Sequence, residues 1–326
     1  MCLAPAFDST VPLPAFPRPG DVFAAPEAEE FPGGKGLNVA RWLAARGRRA
    51  ALGGLLGEGD AGAFAAEMER TGIADRMARV PGRVRRNELF AAPGGDFKVN
   101  RPSYPWLSAA DAPGALALGR LAPDGAPPPR VAVLTGSMPK AVGKGFYAEA
   151  AKRFAALGAA VALDASGDAL RLGLAARPAV VKPNRAEAEG VLGFSLAADG
   201  DVVRALRLLL DSAAAVVLSD GAAGCWFATR GDAGSGPFVR FMPSPRVDAV
   251  DPTGAGDTML AEFLHRRHPA GAPDPDPGAP VSEDAMRWAV AAGAAAATTR
   301  GATPPDPALV QALFAAAGPS RPSRGA

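Results

Sequence analysis

Cysteine and histidine are scarce, with two of each in 326 residues. Cys2 and Cys225 lie far apart, without the close spacing of a metal site. One possible pair in so long a chain predicts reduced thiols rather than a disulfide framework. An excess of one charge is also missing: 35 Lys and Arg stand against 33 Asp and Glu, a net +2. That balance gives no reason to expect a nucleic-acid or membrane-surface partner. No stretch approaches the ~20 uninterrupted apolar residues of a membrane span. Ala289 to Ala297 is apolar but short and Ala-rich, which predicts a buried helix. The first residues show no basic region followed by an apolar run, so no signal peptide is expected. With 48% hydrophobic and 21% charged residues, the composition is that of an ordinary globular protein. A cytoplasmic protein follows, with one large domain or one large domain and a smaller attachment.

From about Arg130 onward, short apolar runs alternate with helical ones. Val131–Leu134, Ala160–Leu163, Ala179–Val181 and Ala215–Leu218 read as strands. Phe146–Leu157, Glu187–Leu192 and Arg204–Leu210 read as helices between them. Nearly all-apolar strands separated by helices predict an α/β fold, a mostly parallel sheet covered on both faces. The first hundred residues differ. Asn87–Ala92 and Phe97–Asn100 alternate polar and apolar residues around the turn Pro93-Gly-Gly-Asp96, which predicts a hairpin. Phe7–Phe31 is punctuated by prolines and lacks a helical period. These pieces, about 7–31 and 83–101, predict a small sheet standing off a main domain of residues 1–315. Residues 122–129, 269–281 and the tail after 316 are rich in Pro, Gly and Ser and read as loops.

The sharpest chemical signal is Asp251-Pro-Thr-Gly-Ala-Gly-Asp257, which follows the strand-like Val247–Val250 and opens an apolar helix. Small residues at 254–256 let several N–H groups point one way at a helix start, which attracts phosphate. Asp257 is then a catalytic base or simply a helix cap. A second Gly-rich turn, Phe31-Pro-Gly-Gly-Lys-Gly-Leu-Asn38, also opens a helix, with Lys35 and Asn38 in the turn.

Together these segments resemble the ribokinase-like (PfkB) family of carbohydrate kinases. Pro5-Ala-Phe-Asp8 resembles its sugar-binding turn, Thr135-Gly-Ser137-Met-Pro139 its Ser-Gly-Ser-x-Pro element, and Lys182-Pro-Asn184-Arg-Ala-Glu187 its Asn-x-x-Glu element. Ser219-Asp-Gly221-Ala-Ala-Gly224 resembles its nucleotide loop and Thr299–Thr303 its last signature. The elements occur in family order over residues 2 to 305. The resemblance implies a three-layer fold with a β lid, and transfer of a phosphoryl group from ATP to a sugar hydroxyl. It implies that Asp257 is the base and that Gly254, Ala255 and Gly256 stabilise the transferring group. It places Asp8, Gly33, Gly34, Lys35, Asn38 and Ser137 at the sugar, and Asn184, Ser219, Gly221 and Gly224 at the nucleotide. Glu187 would hold Mg²⁺ indirectly, although Asn184 and Glu187 are also a capping-box pair. Asp251 and the Thr253 carbonyl resemble a monovalent-cation (K⁺) site, with Pro252 departing from the usual residue. Only Met1–Ala4 precede the sugar-binding turn where the family has a full strand, which implies a clipped strand or a misassigned start.

Gly33–Ala40 and Thr135–Pro139 lean toward the 1-phosphofructokinase and tagatose-6-phosphate kinase branch. There an Arg contacts the substrate phosphate, and Arg85 in Val84-Arg-Arg-Asn87 is the matching residue. Lys98, across the hairpin, is expected on the same face. Solvated charge on an edge strand is the other reading of both. Glu27, Glu29 and Glu30 would repel a sugar phosphate if they faced the site. A kinase of an unphosphorylated sugar or nucleoside therefore stays open, as does an inactive binding module. Gly57-Glu-Gly-Asp-Ala-Gly62 matches a dinucleotide fingerprint but lacks the acid ~20 residues on, so a plain strand-to-helix turn is expected. His265 and His268 lie at a helix end and carry no assigned role. The lid's exposed apolar face, with Leu89 and Val99, is expected to pair with a second copy, because a small sheet rarely stands alone.

Overall fold

The computed structural model describes residues 1–24, 29–104, 107–108, 128–231 and 236–322. In chain order its strands are β1 (Ala6–Pro12), β2 (Glu30–Gly33), β3 (Ala51–Gly57), β4 (Ala74–Val80), β5 (Arg85–Ala92), β6 (Gly95–Asn100), β7 (Val131–Thr135), β8 (Ala160–Asp164), β9 (Val180–Val181), β10 (Ala215–Ser219), β11 (Gly224–Thr229), β12 (Phe238–Pro243) and β13 (Arg321–Pro322). Its helices are α1 (Lys35–Ala45), α2 (Ala61–Arg70), α3 (Phe146–Ala156), α4 (Gly167–Leu174), α5 (Arg185–Leu192), α6 (Asp199–Leu210), α7 (Ala255–Arg267), α8 (Glu283–Ala296) and α9 (Pro307–Ala316).

The apolar runs after residue 130 form parallel strands β7, β8, β9 and β10, in that spatial order. Both faces of these strands are buried, and the period of two sorts their side chains. Val161, Leu163, Val216 and Leu218 enter one core with α3, α4 and α6. Ala162, Ala215 and Val217 enter another with Met259, Leu260 and Phe263 of α7 and Ala289 of α8. The expected three-layer α/β architecture is therefore present.

β4 and three further strands escaped the sequence reading. β11, β12 and β13 extend the sheet antiparallel from β10, and the residues of β11 read only as the end of a nucleotide loop. The tail is paired with β12 as far as Pro322. Conversely, Val247–Val250 is not a strand. Val250 and Asp251 donate their N–H groups to the Ala297 carbonyl, so this segment docks on the end of α8 instead of a sheet edge. At the other end, β3 and β4 pair with each other, and Cys2 bridges Gly54 of β3 to Thr135 of β7. Met1–Ala4 are buried in that slot.

The small sheet has the order β2-β1-β5-β6. Its hairpin turns at Pro93-Gly94, with Ala92 opposite Gly95 and Leu89 opposite Lys98. That turn is tighter than the four residues expected, but the parity keeps Arg85, Asn87, Leu89 and Lys98 on one face. The proposed apolar outer face needs correction. Leu89 is buried on the face toward the main domain, whereas Val99 is exposed on the other. Phe90 and Phe97 stack on that outer face with ring centres 4.8 Å apart, and Phe16 meets Phe97 edge-on.

Candidate active site

The two Gly-rich turns converge at the carboxyl ends of the parallel strands. α7 starts after Gly254, which is left-handed at φ 81°. A Cβ there would lie 2.5 Å from the Ala302 Cβ, so glycine alone admits the 301–302 loop against the turn. Asp257 is not the cap. Gly254 holds that position, and no side chain caps this helix. The buried Asp257 carboxylate instead accepts from Asn38 Nδ2 at 2.8 Å. Burial pushes its pKa up to about 7, with the negative Asp164 adding to the rise and Lys35, Asn38 and Lys182 opposing it. The Ala255 N–H turns back to the Pro252 carbonyl at 3.2 Å. Among the described residues the Gly256 and Asp257 amides have no such backbone acceptor, which leaves them as donors for an anion.

Asn38 rides on α1, which enters directly from β2. A Cβ on Gly33 would sit 2.1 Å from Asp8 Oδ2, so the turn brings the lid acid Asp8 against the start of α1. Arg41, one turn beyond Asn38, is anchored by Glu67 at 2.6 Å and reaches Asn38 Oδ1 at 3.5 Å. That arrangement turns the Asn38 amide nitrogen toward Asp257.

A second carboxylate lies beneath. Asp164 ends β8 and is fully buried. Its Oδ1 receives Lys35 Nζ at 3.1 Å and Lys182 Nζ at 3.3 Å, and its Oδ2 receives Thr135 Oγ1 at 3.1 Å. Burial pushes the Asp164 carboxyl upward, but the Lys182 and Lys35 ammoniums outweigh it and hold the group below its ordinary value. Burial opposes the charge on Lys35, yet Asp164, Asp257 and Glu187 together raise its pKa.

On the lid side, Asp8 accepts from Asn87 Nδ2 at 2.8 Å. Burial raises the Asp8 pKa, against Asn87, Lys98 and Arg85. Arg85 Nε and Asn87 Oδ1 are buried without a hydrogen-bond partner. Lys98 is exposed and donates to Thr253 Oγ1 at 2.7 Å. Arg85 and Lys98 share a face, but four strand positions separate them, about 13 Å of backbone. Glu30 turns to the outer face and pairs with Arg86 at 3.0 Å, Glu29 is exposed, and Glu27 lies outside the described residues. Asp251 is buried, accepts from the Thr253 and Gly301 N–H groups at 2.8 and 3.3 Å, and has no cationic partner among the described residues.

The expected nucleotide side is built differently. Asn184 caps α5 and forms the full reciprocal box with Glu187, both bonds 2.8 Å. Asn184 also bridges to Ser219, and Arg185 pairs with Asp220 at 2.9 Å. Gly221 and Gly224, both at positive φ, carry the chain from β10 into β11. Ser137 is exposed in the loop after β7.

The sequence pattern of the pfkB family carbohydrate kinases matches residues 4–309. This chain belongs to that family. A 1-phosphofructokinase of Rhodobacter capsulatus is 37% identical over 264 residues, 80% of either chain. A 1-phosphofructokinase of Xanthomonas campestris is 35% identical over 270 residues, 79% of this chain and 80% of the relative. Phosphofructokinase-2 of Escherichia coli, solved in complex with substrates and products, superposes with a TM-score of 0.81 over 97% of both chains. At 23% identity that likeness is one of fold.

In this pfkB-family kinase the structure also supplies residues that sequence reasoning passed over. Asp164 was visible only as an acid closing an apolar parallel strand, the end at which such sheets bind ligands. Lys182 was quoted within a motif without a role. Asn87 stood only as the last residue of the stretch that marks Arg85, and Arg41 carried no signal of its own. The Gly57–Gly62 segment is the expected plain turn: its Asp60 accepts from the Val84 N–H at 2.9 Å and pairs with Arg86 at 3.3 Å. His265 and His268 bond Arg48 and Asp274, away from the site.

Proposed function

We propose that this kinase transfers the γ-phosphoryl group of ATP to a hydroxyl of a ketohexose phosphate of the fructose 1-phosphate or tagatose 6-phosphate type. The observation that carries the reading is the buried Asp257 carboxylate, bonded by Asn38 and set in the first turn of α7 beside two unsatisfied amides. Asp257 accepts the proton of the acceptor hydroxyl as its oxygen bonds to phosphorus. The Gly256 and Asp257 amides and the Gly254–Gly256 turn stabilise charge on the transferring group, the main task of a phosphoryl-transfer site.

The phosphorylated acceptor is supported by Arg85. Its buried, unpartnered Nε is a donor that awaits an acceptor, and a guanidinium suits a phosphate. Asp8 and Asn87 share the Arg85 face of the lid sheet, Lys98 lies farther along that face, and Glu30 turns to the other. The 1-phosphofructokinase relatives agree with this choice.

No group of three or more His, Cys, Asp or Glu is gathered among the described residues for a metal. Mg²⁺ carried on nucleotide phosphates needs only one or two carboxylates, and Glu187 fits that need through the oxygen its capping bond leaves over. The buried Asp251 lacks a counter-charge, which fits a monovalent cation; Escherichia coli phosphofructokinase-2 has been solved in complex with potassium. The outer lid face of Phe16, Phe90, Phe97 and Val99 fits a second copy, giving a homodimer through the lid.

Turnover of ATP should be measured by ³¹P NMR across sugars and sugar phosphates. The reading expects kcat/KM for the phosphorylated ketohexose to exceed that of its unphosphorylated form by about 10²-fold, the worth of ~3 kcal/mol of ionic hydrogen bonding. Preference for a neutral sugar would overturn it.

A further inference from the structure

Asp164 lies on none of the four lid strands and in neither Gly-rich turn, yet it contacts lysines from both sides of the proposed site. Lys35 comes from the start of α1, on the acceptor side. Lys182 comes from the loop between β9 and α5, on the nucleotide side. Both ammoniums meet the same oxygen, Oδ1, at 3.1 and 3.3 Å. The other oxygen takes the Thr135 hydroxyl, and the Asp164 carbonyl takes the Gly136 N–H at 2.9 Å. The carboxylate is thus fixed from three elements. Lys182 is almost wholly buried, and its Nζ lies 3.5 Å from where a Cβ on Gly256 would stand. The ammonium therefore sits over the turn that would hold the transferring phosphoryl group.

We propose that Asp164 is a positioning residue for phosphoryl transfer, holding Lys182 toward the nucleotide phosphates and Lys35 toward the acceptor as a two-lysine clamp. This deepens the reading above and rests on it. Two ammoniums drawn to one oxygen repel each other, and only the shared negative charge keeps them together. Lys182 touches phosphate in this arrangement, while Asp164 acts through the lysines. The buried carboxylate costs desolvation, which a purely structural position could avoid with a neutral residue.

The charged groups around Asp257 are Asp164 on β8, Lys35 on α1 and Lys182 after β9, with Asn38 as its hydrogen-bond donor. Asp164 therefore leaves a second trace. Its charge disfavours the ionised base, so removing it shifts the acid limb of the pH profile.

The test is Asp164→Asn, which keeps shape and the Thr135 contact but removes the charge. The clamp expects KM to rise about tenfold or more for ATP and for the sugar phosphate together, with kcat lowered as well. It expects Lys35 to become about tenfold more reactive toward acetic anhydride, read by mass spectrometry, because loss of the Asp164 charge lowers the lysine's pKa. That labelling needs no turnover, so it separates failure of the clamp from failure of the kinase reading. Asp164→Glu, which keeps the charge, should restore part of both effects. A variant that only melts earlier, with both KM values and Lys35 labelling unchanged, overturns the proposal. If Asp164→Asn does not fold, Thr135→Val frees one oxygen of the carboxylate and carries the same test at smaller size.

Discussion

The proposed acceptor side and the proposed nucleotide side of this site are finished to different degrees by the protein itself. On the nucleotide side, Asn184 and Glu187 satisfy each other, and Arg185 is paired with Asp220. On the acceptor side, Arg85 Nε and Asn87 Oδ1 are buried with no partner. Buried polar groups left unmade cost about 1–3 kcal/mol each, and these two lie beside Asp8 on the lid face proposed for the acceptor. The loops proposed for the nucleotide are held in shape by their own contacts. The acceptor face holds open bonds, and specificity should reside there.

The largest break in this comparison is at the centre. Asp257→Asn keeps the Asn38 contact region nearly isosteric but removes the base. We expect kcat to fall by about 10²–10⁴-fold with ATP affinity nearly unchanged, measured by steady-state kinetics and calorimetric titration of the nucleotide. Near-normal kcat would leave Asp257 with a packing role only.

Arg85→Ala tests the open side. It should raise KM for the sugar phosphate by about 10²-fold and leave the weak turnover of an unphosphorylated sugar alone. Equal losses on both acceptors would place Arg85 in folding of the lid rather than in phosphate recognition.

The pH profile comes next. Asp257 is pushed up to about 7 by burial and by Asp164, and a base works only when deprotonated. The kcat/KM should therefore fall about tenfold per pH unit below ~7 and level off above it. The stability sign runs the other way. An unfolded Asp loses its proton near ~3.9, so between about 4 and 7 the folded state holds a proton that the unfolded state lacks. Stability falls as pH rises through that window. Asp257→Asn should then melt higher than wild type at pH 8, by a margin that shrinks toward pH 5.

How much of this was legible depends on the scale of the signal. The parallel strands could be read because apolar runs such as Ala215–Leu218 are buried on both faces. The hairpin could be read from alternation and Pro93-Gly94. The antiparallel β11 and β12 could not, since Gly224–Thr229 is as apolar as its parallel neighbours and carries no directional mark. Val247–Val250 misled for the opposite reason: it has strand-like residues, but the Val250 N–H bonds the Ala297 carbonyl at the end of α8 instead of a strand. Of the site, Asp257, Asn38 and Lys35 stood in Gly-rich turns whose spacing is itself chemical. Asp164, at the end of β8, and Lys182, just after the adjacent β9, are joined only by the fold, 18 residues apart, and no local pattern couples them.

The smallest effect sharpens the comparison on the closed side. Glu187 has two roles there: one oxygen completes the capping box with the Asn184 N–H, and its charge lies close enough to Lys35 to raise that lysine's pKa. Substitution can separate them. Glu187→Gln keeps a side chain that can close the box and removes only the charge. We expect its melting temperature to match wild type while the Mg²⁺ concentration for half-maximal activity rises several-fold and KM for the sugar phosphate stays put. Glu187→Ala removes both functions and should cost a further ~1 kcal/mol of stability, as loss of a cap does. Equal behaviour of the two variants in thermal melts would mean that the box contributes nothing. Full activity of Glu187→Gln at wild-type Mg²⁺ would remove Glu187 from the metal's surroundings and leave the nucleotide side purely a scaffold.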